Sequence, residues 1–310
     1  MTTKIAFIGL GNMGGPMAAN LVKAGYVVTG FDPAAAAQDE ACENGITVAG
    51  SPAEAVVDAE VVFTMLPSGS HVLDVYLGRR GDIAVLGAAP AGALLIDCST
   101  IAVLDAREAA EAAVAAGYRG IDAPVSGGVV GAAAGTLTFM VGAVAADLDE
   151  VQRLLEPMAG RVVHCGDVGA GQAAKICNNM ILGISMIAVS EAFVLGERLG
   201  LTHQALFDVA STASGQCWAL TTNCPVPGPV PTSPANRDYA PGFASPLMAK
   251  DLALAMTAAD ATLTETRLGQ LAADIYRDFA RGDGQGLDFS AIVQTIREEP
   301  VDELFKETTR

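Results

Sequence analysis

The sequence predicts an α/β chain: a doubly wound, mostly parallel sheet followed by an all-helical second domain. Two observations carry this. Over the first half, short apolar runs alternate with Ala-rich helical runs at the spacing of strand–helix–strand units, and beyond about Gly166 the strand signal stops. The length, 310 residues, is also about twice that of a common single domain. The change of pattern places the first domain at 1–165 and the second at 166–310.

Strands are expected at Lys4–Leu10, Val27–Asp32, Val61–Leu66, Ala93–Asp97, Tyr118–Ala123, Leu137–Val141 and Arg161–His164. Their hydrophobicity is continuous rather than alternating, as in strands covered on both faces. The segments Asn12–Ala24, Ile101–Ala116 and Asp147–Met158 read as crossover helices between them, with right-handed connections. Gly171 to about Leu199 reads as one long, strongly apolar helix between the domains. Further helices are expected at His203–Ser211, Ala244–Ala259, Thr264–Ala280 and Ser290–Glu298. Seven of the fifteen prolines fall between Pro225 and Pro246, so that stretch is expected to be an extended loop. A helix apolar around most of its circumference needs cover, from the first domain, from a second subunit, or from both.

Composition narrows the function classes. Hydrophobic residues make up 51% and charged residues 17%, enough for large cores and unlike a disordered chain. With 35 acidic against 18 basic residues the net charge is −17, which repels nucleic-acid backbones and anionic lipid surfaces. Neither is an expected partner. Two long uncharged stretches, Ala123–Ala146 and Val209–Asn236, are too rich in Gly, Pro, Thr, Ser and Asn to span a membrane and read as loop-rich lining. The six cysteines form no C-x-x-C pair and read as small apolar filler in a reducing compartment. With only His71, His164 and His203 besides, no metal site is expected. Lys4 to Ile8 is strand-like almost from the start, with no leader pattern ahead of it, and a cytoplasmic location is expected.

The chemistry begins with Gly9-Leu10-Gly11-Asn12-Met13-Gly14, a G-x-G-x-x-G run that leaves a strand and opens a helix. Asp32 ends the next strand, 18 residues past Gly14, where an acid meets a ribose 2′-hydroxyl. Gly9 makes the turn, Gly11 admits the diphosphate, and Gly14 lets the helix pack on the strand. Free amides at a helix start bind a diphosphate without basic side chains, which suits an acidic protein. This is a Rossmann-type signature. Asp32, followed by Pro33 and four alanines with no Arg or Lys, would repel a 2′-phosphate, so NAD is favoured over NADP.

Three further runs stand out. Asp122 to Gly131 contains Ser126, Gly127 and Gly128, a hydroxyl and successive amides that form either a carboxylate cradle or a plain flexible turn. Gly169 to Asn179 opens the long helix and places Lys175 and Asn179 four apart, on one face. A lysine on so apolar a helix has either a task or a route by which its head snorkels to water. Lys250-Asp251, alone, reads as an ordinary exposed pair.

Gly11-Asn-Met-Gly-Gly-Pro-Met-Ala-Ala-Asn-Leu21, Asp122–Gly131, Gly169–Asn179 and Met248-Ala-Lys-Asp251, in that order over nearly the whole chain, resemble the β-hydroxyacid dehydrogenase family. Ser214-Gly-Gln-Cys-Trp218, Asn223-Cys-Pro-Val-Pro-Gly228, Leu247–Leu252, Asp288-Phe-Ser and Arg297-Glu-Glu most resemble its members that oxidise 3-hydroxyisobutyrate to methylmalonate semialdehyde with NAD, in valine breakdown. The resemblance implies that Lys175 handles the proton of the substrate hydroxyl, either as a neutral base or as a charged partner of the developing alkoxide. It implies that Ser126, Gly127 and Gly128 take the substrate carboxylate and that Asn179 orients the substrate. Leu66, Pro67, His71, Thr100 and Lys250 would contact the cofactor, together with Gly9 to Gly14 and Asp32. It implies a catalytic cleft between the domains and a homodimer or homotetramer built on the long helix. Trp218, in the uncharged stretch, is either core packing or an apolar wall of the substrate pocket, and its irregular flanks favour the wall. Other members, tartronate semialdehyde or glyoxylate/succinic semialdehyde reductases, often use NADPH, against which Asp32 speaks. A non-catalytic NAD-binding regulator is expected to have lost Lys175 or the glycine-rich loop, and both are present.

Overall fold

The computed structural model describes residues 3–79 and 84–298, with only the backbone of Glu298. Glu299, the end of the Arg297-Glu-Glu motif, lies outside the described residues. Nine strands form one sheet: β1 Lys4–Ile8, β2 Val27–Phe31, β3 Thr47–Val48, β4 Val61–Thr64, β5 Leu94–Asp97, β6 Arg119–Asp122, β7 Val125–Ser126, β8 Leu137–Gly142 and β9 Ala159–Gly166. The order β3-β2-β1-β4-β5-β6 is parallel throughout. β6 and β7 then flank β8 antiparallel, and β9 runs parallel to β8. This is the mostly parallel, helix-covered sheet that the sequence predicts, with the two-residue strands β3 and β7 added.

The continuous apolar strands explain the layering. Ile5, Phe7, Val61, Phe63, Leu94 and Ile96 point to one face and bury there, with Phe7 stacked on Phe63 at a centroid distance of 5.7 Å. Ala6, Ile8, Val62 and Leu95, the alternate positions, bury on the other face. Each face is covered by the crossover helices.

The stretch Ala123–Ala146 is not the loop-rich lining expected from its glycines. It holds β7, a helix Gly128–Ala134 and β8. Gly127 (φ 135°) and Gly128 (φ 62°) reverse the chain directly into a helix of small residues, so the glycines make the corner rather than a long loop. The cysteines also depart from expectation. All six are free thiols, but only Cys98 and Cys224 are buried, while Cys42 and Cys177 are exposed.

The chain divides into two compact units, Met1–Cys177 and Asn178–Arg310, with the division inside the long helix Ala170–Arg198. That helix is long and apolar enough to cross a membrane by length and composition, and half of its most apolar window is buried in the protein. The second unit is helical, with helices His203–Ala210, Ser245–Ala261, Arg267–Arg281 and Ile292–Glu298. Its core gathers Met186, Phe193, Met248, Leu252, Tyr276 and Phe289.

The end of the proline-rich excursion of this unit is held by one carboxylate. Asp288 is 1% exposed. Its Oδ2 accepts the N–H groups of Gly242 (3.0 Å) and Phe243 (2.9 Å). Its Oδ1 accepts Ser290 Oγ (2.7 Å), Ser290 N–H (3.1 Å) and Asn223 Nδ2 (3.3 Å). A loop with so few backbone donors of its own is tied by a side chain 45 positions beyond Phe243, after two intervening helices.

Candidate functional site

At the C-terminal edge of β1 the chain turns through Gly9–Gly14 into the helix Gly14–Lys23. A Cβ at Gly14 would lie 1.9 Å from the Gly9 carbonyl oxygen, so only glycine allows this close crossing. A Cβ at Gly11 would meet nothing within 4 Å. The helix starts without a side-chain cap and without an acid in its first turn. An open approach to an uncapped helix start fits a dinucleotide diphosphate. Asp32 sits beside this turn: its Oδ2 accepts Leu10 N–H at 2.8 Å and its Oδ1 accepts Ala34 N–H at 2.9 Å. Each oxygen keeps further acceptor capacity for a hydroxyl.

Leu66 and Thr100, on neighbouring connections after β4 and β5, are tied through Ser99. Leu66 N–H donates to Ser99 Oγ (2.8 Å), and Ser99 Oγ donates to Asp97 Oδ1 (2.6 Å). Thr64 Oγ1 also donates to Asp97 Oδ1, at 2.7 Å. Pro67 and His71 are exposed, with His71 Nδ1 2.7 Å from Ser68 Oγ.

Asp97 was not among the residues singled out from sequence. It is 3% exposed, its Oδ2 has no hydrogen-bond partner, and burial raises its pKa to about 6 against the pull of Ser99 and Thr64. The folded state therefore holds this proton more tightly than the unfolded chain. The group's contribution to stability is full below the ordinary carboxylate value of 3.8 and is lost as pH rises through about 6. That loss amounts to about 3 kcal/mol. Asp97→Asn removes this titration. The stability difference between wild type and variant, from denaturant midpoints, should shift in the variant's favour as pH is raised from about 4 to about 7. A difference constant over that range would refute the assignment.

Asp122, at the end of β6, is the second buried acid and is 1% exposed. It accepts Gly169 N–H through Oδ1 (2.6 Å) and Gln172 N–H through Oδ2 (2.8 Å), and so caps the start of the long helix from a distant strand. Burial raises its pKa, opposed by those backbone donors. Lys175 follows one turn later and is 7% exposed, which excludes an ordinary surface lysine. Ser126, half-buried in β7 and paired with Thr138, leads into the Gly127–Gly128 corner.

The remaining sequence-derived residues lie in the second unit. Asn179 is 1% exposed, and its Nδ2 donates to Asp251 Oδ2. Asp251 is 2% exposed, with its Oδ1 3.4 Å from Lys250 Nζ. Lys250-Asp251 is thus not an exposed pair: a buried asparagine needs an acceptor, and the helix Ser245–Ala261 turns Asp251 inward to supply it. Sequence reasoning missed Asp251, although a carboxylate among apolar helix positions is a readable signal. Trp218 opens the short helix Trp218–Thr221 and is 52% exposed, outside the core of its unit.

Known proteins resemble this chain over nearly its whole length. A model of the NAD binding domain of 6-phosphogluconate dehydrogenase matches residues 4–166. A model described as the NAD-binding of NADP-dependent 3-hydroxyisobutyrate dehydrogenase matches residues 169–296. A Mycobacterium tuberculosis protein named "Probable 3-hydroxyisobutyrate dehydrogenase" is 57% identical over 295 residues, covering 95% of this chain and 98% of that one. The "NAD-dependent L-serine dehydrogenase" of Pseudomonas aeruginosa is 46% identical over 93% of this chain and 96% of that one. A solved structure of Mycobacterium tuberculosis 3-hydroxyisobutyrate dehydrogenase with L-serine, 57% identical, matches with a TM-score of 0.91 over 96% of this chain and 100% of that one. Fold, dinucleotide turn and relatives together define an NAD-dependent oxidoreductase of β-hydroxyacids. The chain belongs to the 3-hydroxyisobutyrate dehydrogenase family.

Proposed function

We propose that this enzyme oxidises the primary alcohol of 3-hydroxyisobutyrate to methylmalonate semialdehyde, a step of valine breakdown. The observation that carries this reading is a buried Lys175 on a helix start pinned by Asp122, in a chain 57% identical to a 3-hydroxyisobutyrate dehydrogenase over 95% of its length. Gly9 to Gly14, Asp32, Leu66, Pro67, His71, Thr100 and Lys250 hold NAD, which when bound supplies the hydride acceptor. Ser126 and the Gly127 and Gly128 amides bind the substrate carboxylate. Asn179, fixed by Asp251, orients the substrate. Lys175 hydrogen-bonds the hydroxyl and takes its proton or stabilises the alkoxide as the carbinol hydrogen leaves. The net charge of −17 supports a protein that avoids nucleic acid and membranes, and we place it in the cytoplasm as a homodimer or homotetramer.

A second substrate has specific support: one relative is named for L-serine, and one related structure contains it. Both substrates are short β-hydroxyacids that differ at the α-carbon, methyl against ammonium. Steady-state kcat/KM for 3-hydroxyisobutyrate, L-serine, 3-hydroxypropionate, D-glycerate and 4-hydroxybutyrate, each with NAD and NADP, decides between them. 3-Hydroxyisobutyrate with NAD should lead, and a preference for L-serine would replace the reading.

Trp218 supplies the apolar surface for the substrate methyl. Trp218→Ala should lower selectivity for 3-hydroxyisobutyrate over 3-hydroxypropionate by roughly 10-fold, within the range one methyl group commands. An unchanged ratio of kcat/KM removes Trp218 from the pocket.

Asp32 sets the cofactor. Asp32→Ser combined with Pro33→Arg removes the repulsion and adds a phosphate partner, and should move the preference toward NADP by roughly 10-fold or more. Wild type that already uses NADP as well as NAD would contradict this role.

A further inference from the structure

One side chain links the turn that carries Lys175 to the connections expected to touch the cofactor. Gln172 is completely buried, one helical turn before Lys175. Its Nε2 donates to the Ser99 carbonyl at 2.7 Å, and its Oε1 accepts Ile101 N–H at 3.1 Å. The two bonds fix the amide orientation, because a carbonyl can only accept and an N–H can only donate. They also bracket Thr100, one bond on each side. Ser99 is held from its other end by Leu66 N–H and Asp97. Gln172 N–H, in turn, is held by Asp122. A continuous chain of short hydrogen bonds thus runs from the connection after β4, through the connection after β5, to the first turn of the long helix.

We propose that Gln172 is the positioning residue of this enzyme: its side-chain amide clamps Ser99 and Ile101 to the helix turn that carries Lys175, and so sets the register between the proton-handling lysine and the hydride-accepting cofactor. The proposal rests on the catalytic reading of Lys175. Its physical basis is the steep dependence of transfer on geometry. Reacting atoms must approach to about 3–3.5 Å, and a misplacement of about 1 Å costs on the order of 10²-fold. Buried hydrogen bonds that fix backbone to backbone hold such a register better than packing alone, because a small shift leaves a buried donor or acceptor unpaired.

The test uses two substitutions at Gln172 and one at Lys175, in the full-length enzyme with NAD and 3-hydroxyisobutyrate. Gln172→Met keeps the volume and removes both bonds. It should lower kcat by roughly 10–100-fold while the NAD dissociation constant, from calorimetry, stays within about threefold. Gln172→Glu keeps the shape. Ionised, it faces the Ser99 carbonyl without a donor; protonated, it presents one donor and one acceptor, as the amide does. Complete burial and the adjacent Asp122 carboxylate favour the protonated form at pH values above the usual carboxylate range, against the opposing pull of Lys175 one helical turn on. The kcat of Gln172→Glu as a fraction of wild type should therefore rise at least about fivefold as pH is lowered from about 8.5 to about 6. A structural tie without a positioning role would show no such pH-dependent rescue. The proposal is overturned if Gln172→Met keeps more than a third of wild-type kcat, or if kcat and NAD affinity fall in parallel. It is equally overturned by a pH-independent Gln172→Glu ratio, or by failure of both variants to fold. Lys175→Met, assayed alongside, separates the two readings. If it retains turnover, the catalytic reading of Lys175 itself fails; if it is inactive while the Gln172 variants are not, only the positioning role fails.

Discussion

Lys175→Ala should lower turnover by roughly 10²–10⁴-fold, the range for a positioned acid–base group, while NAD affinity and folding stay near wild type. The expectation follows from place as much as from residue type. The side chain is 7% exposed, on a helix whose start is capped by Asp122 and whose preceding turn is clamped by Gln172. An amine so placed does not wander, so its loss removes a fixed group rather than one of many. Alanine also vacates volume. Lys175→Met, which fills that volume without a titrating atom, should fall into the same range. Single-turnover rates with saturating NAD read the hydride step directly, and either variant retaining a third of wild-type turnover would end the catalytic assignment.

Asp288→Ala should produce the largest loss of stability. Its carboxylate serves five donors, from Asn223, Gly242, Phe243 and twice from Ser290, at a site 1% exposed. An unsatisfied buried polar group costs about 1–3 kcal/mol, and the loop cannot re-pair all five at once. A loss of at least about 4 kcal/mol follows, a drop in melting temperature on the order of 10 °C. Asparagine does not rescue it. Whichever way the amide is flipped, its NH2 faces N–H donors, those of Gly242 and Phe243 on one side or that of Ser290 on the other. Thermal unfolding of Asp288→Ala and Asp288→Asn checks both statements, and an Asp288→Asn protein as stable as wild type would contradict the reading of this hub.

What was legible in the sequence was local in kind. The Gly9–Gly14 turn, the seven longer strands and the long helix each carry their signal within a short window of residues. The acids that organise the site do not. Asp122 becomes a helix cap only because β6 and β8 pair at Asp122 and Gly142 and bring residues 169–172 within reach, a relation across about fifty positions. Asp97 reads as a strand-end acid until the register buries it beside Thr64. Asp251 reads as half of a surface pair until Asn179, 72 positions earlier, claims it. The two-residue strands β3 and β7 are too short to show a period. The helix Gly128–Ala134, three alanines, two glycines and two valines, has neither apolar periodicity nor a capping residue.

The remote cap on the long helix bears on the order in which the protein acquires its shape. A helix start ordinarily draws its cap from the residue beside it, so that it can nucleate as soon as it leaves the ribosome. Here the cap is a carboxylate from β6, 47 positions upstream of the Gly169 amide it binds. The turn bearing Lys175 is therefore expected to lack this cap in the nascent chain until β5, β6 and β8 are paired and Asp122 is oriented. Contacts of such long range form late. The setting of Lys175 is thereby coupled to completion of the sheet, and an incompletely folded chain leaves its amine unfixed.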